Sequence, residues 1–147
     1  MKRSEILNGI IEEQKKVIDN LQNTADQYKT AADMDEESTH DREDYSHMDQ
    51  AKDMQLRYEK MLGDAEQQLI FLENEKEMTH EEIENGSVVE TDKNFLFVGI
   101  SVPVFKIDEK EVISFSEEAP IFTKIKGKKV GDKLEIGDKT HVIQGFN

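Results

Sequence analysis

The sequence has no cysteine, no tryptophan and only two prolines in 147 residues. Without cysteine there are no disulfides and no thiolate zinc sites. Both prolines, Pro103 and Pro120, lie late, so no proline interrupts a helix before them. Apolar residues are also scarce, at 35%. A single large core needs nearer about half. The longest mostly apolar run, Phe95 to Phe105, is too short to cross a bilayer, so no membrane partner is expected. No apolar stretch follows Met1-Lys2-Arg3-Ser4-Glu5, which argues against a secretory signal and for a cytoplasmic protein. Positive charge is in short supply: 19 Lys and Arg stand against 33 Asp and Glu, a net charge of −14. That balance disfavours binding to free nucleic acid, which needs clustered positive charge.

What is present divides unevenly. Residues 1–85 hold 23 acids and 10 bases, a net −13, whereas residues 86–147 hold 10 acids and 9 bases, a net −1. The second part is rich in Val, Ile, Phe and Gly, with frequent turn signals. The boundary is placed at Asn85-Gly86. The reading is an α+β chain: residues 1–80 form an antiparallel coiled coil with an acidic tip at 33–47, and residues 86–147 form a small sheet domain with one helix.

The coiled coil rests on a seam of alternating steps of four and three: Leu7, Ile11, Gln14, Ile18, Leu21, Ala25, Tyr28 and Ala32. A second seam runs through Met48, Ala51, Gln55, Tyr58, Leu62, Ala65, Leu69 and Leu72. Facing residues have numbers that add to 79 or 80, as in Leu7 with Leu72, Leu21 with Tyr58 and Ala32 with Met48. A constant sum marks antiparallel partners, and half of it puts the turn near His40. Pairing between separate chains in a bundle is the alternative.

The turn region, Asp33 to Asp44, holds seven acids and one base. Such a run serves as a solvated turn, with acids favouring the start of the next helix through its dipole. Ser38-Thr39-His40-Asp41 matches a capping box. It also serves as a carboxylate cluster presented at the end of a rod. Asp41 and Asp44, three apart, share a helical face. Magnesium commonly takes one or two protein carboxylates and fills its other positions with water and phosphate oxygens. His40 and His47 flank the cluster at a spacing that matches no tight metal motif, and His80 and His141 carry no signal.

In the second part, strands are expected at 86–91, 95–101, near Phe105 and at 112–115. A helix is expected at 120–126, with Pro120 in its first turn and Gly127 ending it. A hairpin over 133–143 turns at Gly137-Asp138. Lys124, Lys126, Lys128, Lys129 and Lys133 make the one dense basic stretch. It reads either as a helix end complementing its dipole or as a contact for an acidic surface. Phe122 reads either as core or as an exposed docking residue.

The segment Ala119-Pro120-Ile121-Phe122-Thr123-Lys124-Ile125-Lys126-Gly127-Lys128-Lys129-Val130-Gly131-Asp132 resembles the C-terminal signature of the Gre transcript-cleavage factors. Pro120, Ile121, Ile125, Gly127, Lys128, Gly131 and Asp132 match it. The order of parts is similar too: a coiled coil with an acidic tip, then a compact domain that in the family has an FKBP-like fold.

The resemblance implies a transcription elongation factor that enters the secondary channel of bacterial RNA polymerase. In that family two tip carboxylates help hold the second catalytic magnesium and a water, and the polymerase cleaves the 3′ end of backtracked RNA. Carried over, the pair falls on Asp41 and Asp44. The chain would then not be an enzyme itself, and Mg2+ would be shared with the polymerase rather than held alone. Phe122, Lys124 and Lys128 are the candidate polymerase contacts. The sequence departs from the family at Asp44, where Glu is usual, at His40, at Ala119 and Phe122, and in five further tip acids. The crowding of acids at the tip resembles Gre homologues that bind the channel and inhibit. A prolyl isomerase or chaperone is the reading of another class. Residues 86–147 offer phenylalanine but no Tyr or Trp for its aromatic pocket.

Overall fold

The computed structural model describes residues 2–33 and 42–147, except the side chains of residues 42–44. Two long helices come first, α1 (Arg3–Ala32) and α2 (Arg42–Glu75). Six strands and a short helix follow: β1 (Val88–Thr91), β2 (Asn94–Val98), β3 (Phe105–Ile107), β4 (Lys110–Phe115), α3 (Pro120–Ile125), β5 (Lys133–Ile136) and β6 (Lys139–Phe146). The chain is therefore α+β. It divides into two compact units, Gln14–Leu69 and a second made of Met1–Glu13 with Ile70–Asn147.

Within the unit Gln14–Leu69 the two helices pair antiparallel inside one chain. Gln14 donates from Nε2 to the carbonyl of Ala65 at 3.0 Å and to Gln68 Oε1 at 3.1 Å. The polar seam position is thus buried with its amide satisfied, as a buried amide must be. The rings of Tyr28 and Tyr58 stack with centroids 5.6 Å apart. Their numbers add to 86, seven more than the 79 of Gln14 with Ala65. Side-chain direction accounts for the difference. Each helical side chain leans toward its own N-terminus. In antiparallel helices Tyr28 and Tyr58 therefore lean toward each other and meet across two turns. Every seam position named above is buried or half-buried.

The second unit is built on a sheet with strand order β3-β4-β2-β1-β6-β5. All neighbouring pairs are antiparallel except β2 with β4, which run parallel. β3 forms the outer edge beside β4, and the chain returns through Asp108-Glu109 so that β4 lies against β2. One face carries the core of Val89, Leu96, Val98, Phe115, Leu134 and Ile143, closed by Phe122 and Ile125 of α3 and by Ile83 from the connecting segment. Pro120 opens α3 as expected, and Gly127 follows with φ of 80°. The first turns of α1 and the last turns of α2 belong to this unit. Ile6, Leu7, Ile10 and Leu72 are fully buried. Gly9 lies so close to the ring of Phe105 that a Cβ would fall 2.4 Å from it.

Candidate functional site

Of the two tip carboxylates, Asp41 and the side chain of Asp44 lie outside the described residues, as does the capping box before α2. By position Asp44 belongs to the first turn of α2, which starts at Arg42. α1 ends at Ala32, so residues 33–41 of the acid-rich segment lie between the two helices in sequence and residues 42–44 belong to α2. Among the described residues no group of three or more His, Asp or Glu is arranged to hold a metal. No helix among them is long and apolar enough to cross a membrane.

Lys124 and Lys128 come together with Lys133. The three line an open groove of about 590 Å³ with Leu134, Glu135 and Thr140. α3 supplies Lys124, the turn after it Lys128, and β5 Lys133. Lys124 Nζ lies 3.5 Å from the carbonyl of Glu135. Asp132 shapes the intervening turn, accepting the backbone N–H of Lys129 on Oδ2 at 2.8 Å. One glutamate against three ammonium groups leaves the groove positive. Lys126 and Lys129 of the same stretch do not line it. Phe122 sits elsewhere: it is 9% exposed and packs in the core, and its remaining edge borders a smaller hollow with Glu82, Glu84 and Glu117. Lys126 Nζ lies 6.0 Å from the centre of its ring.

A third cluster has no counterpart in the sequence reading. Buried Arg3, in the first turn of α1, donates to the carbonyls of Gly86 and Asn147 from Nη1, and to the carbonyl and Oε2 of Glu75 from Nη2. The Glu75 carbonyl, at the end of α2, also accepts the backbone N–H of Met78 at 3.1 Å. Glu75 Oε2 also meets His80 Nε2 at 2.8 Å, and His80 Nδ1 meets Glu84 Oε1 at 2.7 Å. Both ring nitrogens face carboxylates, which only the protonated imidazole satisfies on both sides. Burial pushes the His80 pKa down, but the hydrogen bonds to Glu75 and Glu84 outweigh it and the net shift is upward. Burial lowers the Arg3 pKa, opposed by Glu75. Gly86, with φ of 96°, lets the backbone lie against the Glu75 carboxylate, where a Cβ would come within 2.5 Å. A usable signal existed: 3 and 75 add to 78, one layer beyond Leu7 with Leu72. His80, by contrast, is placed by a bend that no periodicity announces.

No protein-family model matches the chain, and no curated protein matches it either.

Proposed function

We propose that the chain is a regulator of RNA polymerase of the Gre type, which carries Asp41 and Asp44 into the secondary channel. One observation chiefly supports this reading. Within the unit Gln14–Leu69, α1 and α2 run antiparallel, and the family's carboxylate pair falls where the acid-rich joining segment ends and α2 begins, Asp41 before Arg42 and Asp44 after it. On this reading the sheet unit is FKBP-like, and its lysine groove meets an acidic surface of the polymerase through Lys124 and Lys128.

The chemistry follows from charge and geometry. An isolated acidic turn holds a divalent ion poorly, because its carboxylates repel one another and are well solvated. Brought to a centre that already has a metal and phosphate oxygens, the same carboxylates raise the occupancy of a weak second position. They also orient the attacking water. Hydrolysis itself stays with the polymerase.

The test is transcript cleavage in stalled, backtracked complexes with magnesium. Wild type shortens the RNA. Asp41→Asn and Asp44→Asn bind the polymerase equally well but cleave on the order of tenfold to a hundredfold more slowly, as for carboxylates that support a metal centre. A wild type that binds and slows transcription without cleavage makes the chain an inhibitor of the channel. Failure to bind polymerase overturns the proposal.

A further inference from the structure

The sheet has two outer strands, β3 and β5, and they are not equivalent. In an antiparallel ladder alternate residues turn their N–H and C=O toward the neighbouring strand, and the residues between turn theirs away. In β5 the even-numbered residues face β6. The two-residue turn makes Ile136 and Lys139 a bonded pair. Further along, the carbonyl of Asp132 accepts the N–H of Ile143 at 2.9 Å. Lys133 and Glu135 therefore present both of their backbone groups outward. β3 is three residues long and pairs Ile107 with Lys110 across the turn Asp108-Glu109, so only Lys106 faces out. A single outward residue offers one bonded pair. Two residues, at about 3.4 Å rise each, offer two pairs about 7 Å apart.

The outer edge of β5 opens on the lysine groove. Lys133, Leu134 and Glu135 line it together with Lys124 of α3 and Lys128 of the turn after α3. Of the four outward backbone groups, only the Glu135 carbonyl has a partner among the described residues: Lys124 Nζ, at 3.5 Å. That ammonium stands where the N–H of a further strand would donate. The edge is an unfinished ladder with one acceptor held by a side chain.

Lysine on an edge strand commonly keeps other strands away. Here the charges select among strands instead. Side chains of an added strand alternate between the two faces of the sheet. In an antiparallel strand, the residues opposite Glu135 and Lys133 lie on the face of those two side chains and of Thr140, the cross-strand neighbour of Glu135. The residue between them lies on the face of Leu134. α3 packs on that face, since Leu134 shares the core with Phe122 and Ile125. The middle residue therefore meets Lys124 and Lys128, and the residue opposite Lys133 meets a third ammonium. Opposite Glu135 a carboxylate is repelled, whereas an uncharged residue such as threonine is accepted.

We propose that the edge of β5 binds an extended acidic segment of a partner protein, which joins the sheet as an antiparallel seventh strand. From its N-terminal end the segment reads uncharged, acidic, acidic, opposite Glu135, Leu134 and Lys133. Charge complementarity names this occupant. A second copy of the chain would also set Lys133 against Glu135. It would, however, put Leu134 in the acidic position and bring Lys124 and Lys128 toward their own images. The inference sharpens the groove's part in the polymerase reading and rests on that reading only for where the segment comes from. A peptide is bound without polymerase present, so each can fail alone.

The test uses the isotope-labelled full chain and a synthetic probe, acetyl-Val-Thr-Val-Thr-Glu-Asp-Val-Thr-amide, with Thr-Glu-Asp as its core. By NMR the probe is expected to shift the Lys133 and Glu135 amides saturably and to slow their hydrogen exchange. N-methylation of the core Thr, whose N–H donates to the Glu135 carbonyl, weakens binding on the order of fivefold. N-methylation of the core Glu, whose N–H points away from β5, changes it by less than about twofold. Gln in place of the core Glu and Asp weakens binding about twofold to fivefold, as for solvated ion pairs. Lys124→Gln/Lys128→Gln narrows that difference. A probe that binds while polymerase does not supports the edge and overturns the polymerase reading. Polymerase binding that persists while the probe fails overturns this inference and leaves the function standing. Equal loss from the two N-methylated probes overturns it too, because charge alone then holds the peptide. So does equal binding of a probe with Lys at both acidic positions, or protection of the Lys133 and Glu135 amides without probe in a dimer seen by sedimentation.

Discussion

At the scale of the residue, two glycines in helices make opposite demands. Gly9 of α1 is pressed against Phe105, and Gly63 of α2 has nothing within 4 Å of where a Cβ would stand. Alanine is preferred to glycine in a helix interior by about 1 kcal/mol, because glycine loses more backbone entropy on folding. At Gly63 that preference acts alone, so Gly63→Ala raises stability by about 0.5–1 kcal/mol. At Gly9 the new methyl meets Cε2 and Cζ of the half-buried Phe105 ring at 2.4 Å and 2.8 Å, and the ring must move. Overpacking of this kind costs about 1–3 kcal/mol. Gly9→Ala is therefore expected to destabilise despite its better helix propensity. Urea midpoints of the two variants against wild type check both signs. Stabilisation by both would mean that Phe105 turns aside freely. In the sequence Gly9 reads only as a small residue in an early turn. Its reason lies 96 residues away, as the numbers 9 and 105 show.

At the scale of the element, what repeats along the chain was legible and what bends it was not. The seams of α1 and α2 follow from residue spacing, and each seam residue is buried or half-buried. The β5–β6 hairpin follows from Gly137 between two alternating runs, and its pairing joins Ile136 to Lys139 as a two-residue turn requires. The parallel pairing of β2 with β4 was not legible, because alternation gives a strand's faces but not its neighbour or direction. The connection from α2 to β1 was equally silent, although it brings His80 against the buried Arg3–Glu75 pair. That connection has a consequence for pH. The folded state raises the pKa of His80 above the unfolded value of about 6.5. A raised pKa means that the folded form binds the proton more tightly. The stabilisation is therefore complete below about pH 6.5 and is lost as pH rises through the pKa of folded His80. His141 shifts the other way, so its contribution holds above the unfolded value and is lost on acidification. Comparing wild type with His80→Gln cancels the His141 part. The difference in urea midpoint is expected to be widest near pH 6 and to shrink toward pH 9. A difference that grows with pH would mean that His80 is held neutral between Glu75 and Glu84.

At the scale of the whole molecule, the dominant quantity is charge. The outer place of β5 could not be read from sequence, since strand order is settled only when the sheet forms. The lysine groove was half legible: the run of lysines was plain, but which of them converge depends on where β5 crosses α3. The distribution of charge needs no structure at all. Residues 14–69, the helical unit, contain fourteen acids and seven bases, a net −7. Acids outnumber bases two to one there, so repulsion outweighs the favourable pairs along the helices. Its seam is also less apolar away from the base, where Gln55, Ala51, Ala25 and Ala32 replace Leu and Ile. Surface charges interact over about 30 Å at 0.01 M salt but only about 8 Å at 0.15 M. Screening therefore relieves the repulsion before it touches the buried contacts of Gln14. The thermal midpoint of the helical circular-dichroism signal is expected to rise by about 2–6 °C when sodium chloride goes from about 10 mM to about 300 mM. Sodium sulfate is not used, because it strengthens burial by exclusion and would raise the midpoint for another reason. A midpoint that falls with sodium chloride would mean that surface ion pairs hold the helices together. In that case the excess of acids would cost the fold nothing that salt relieves.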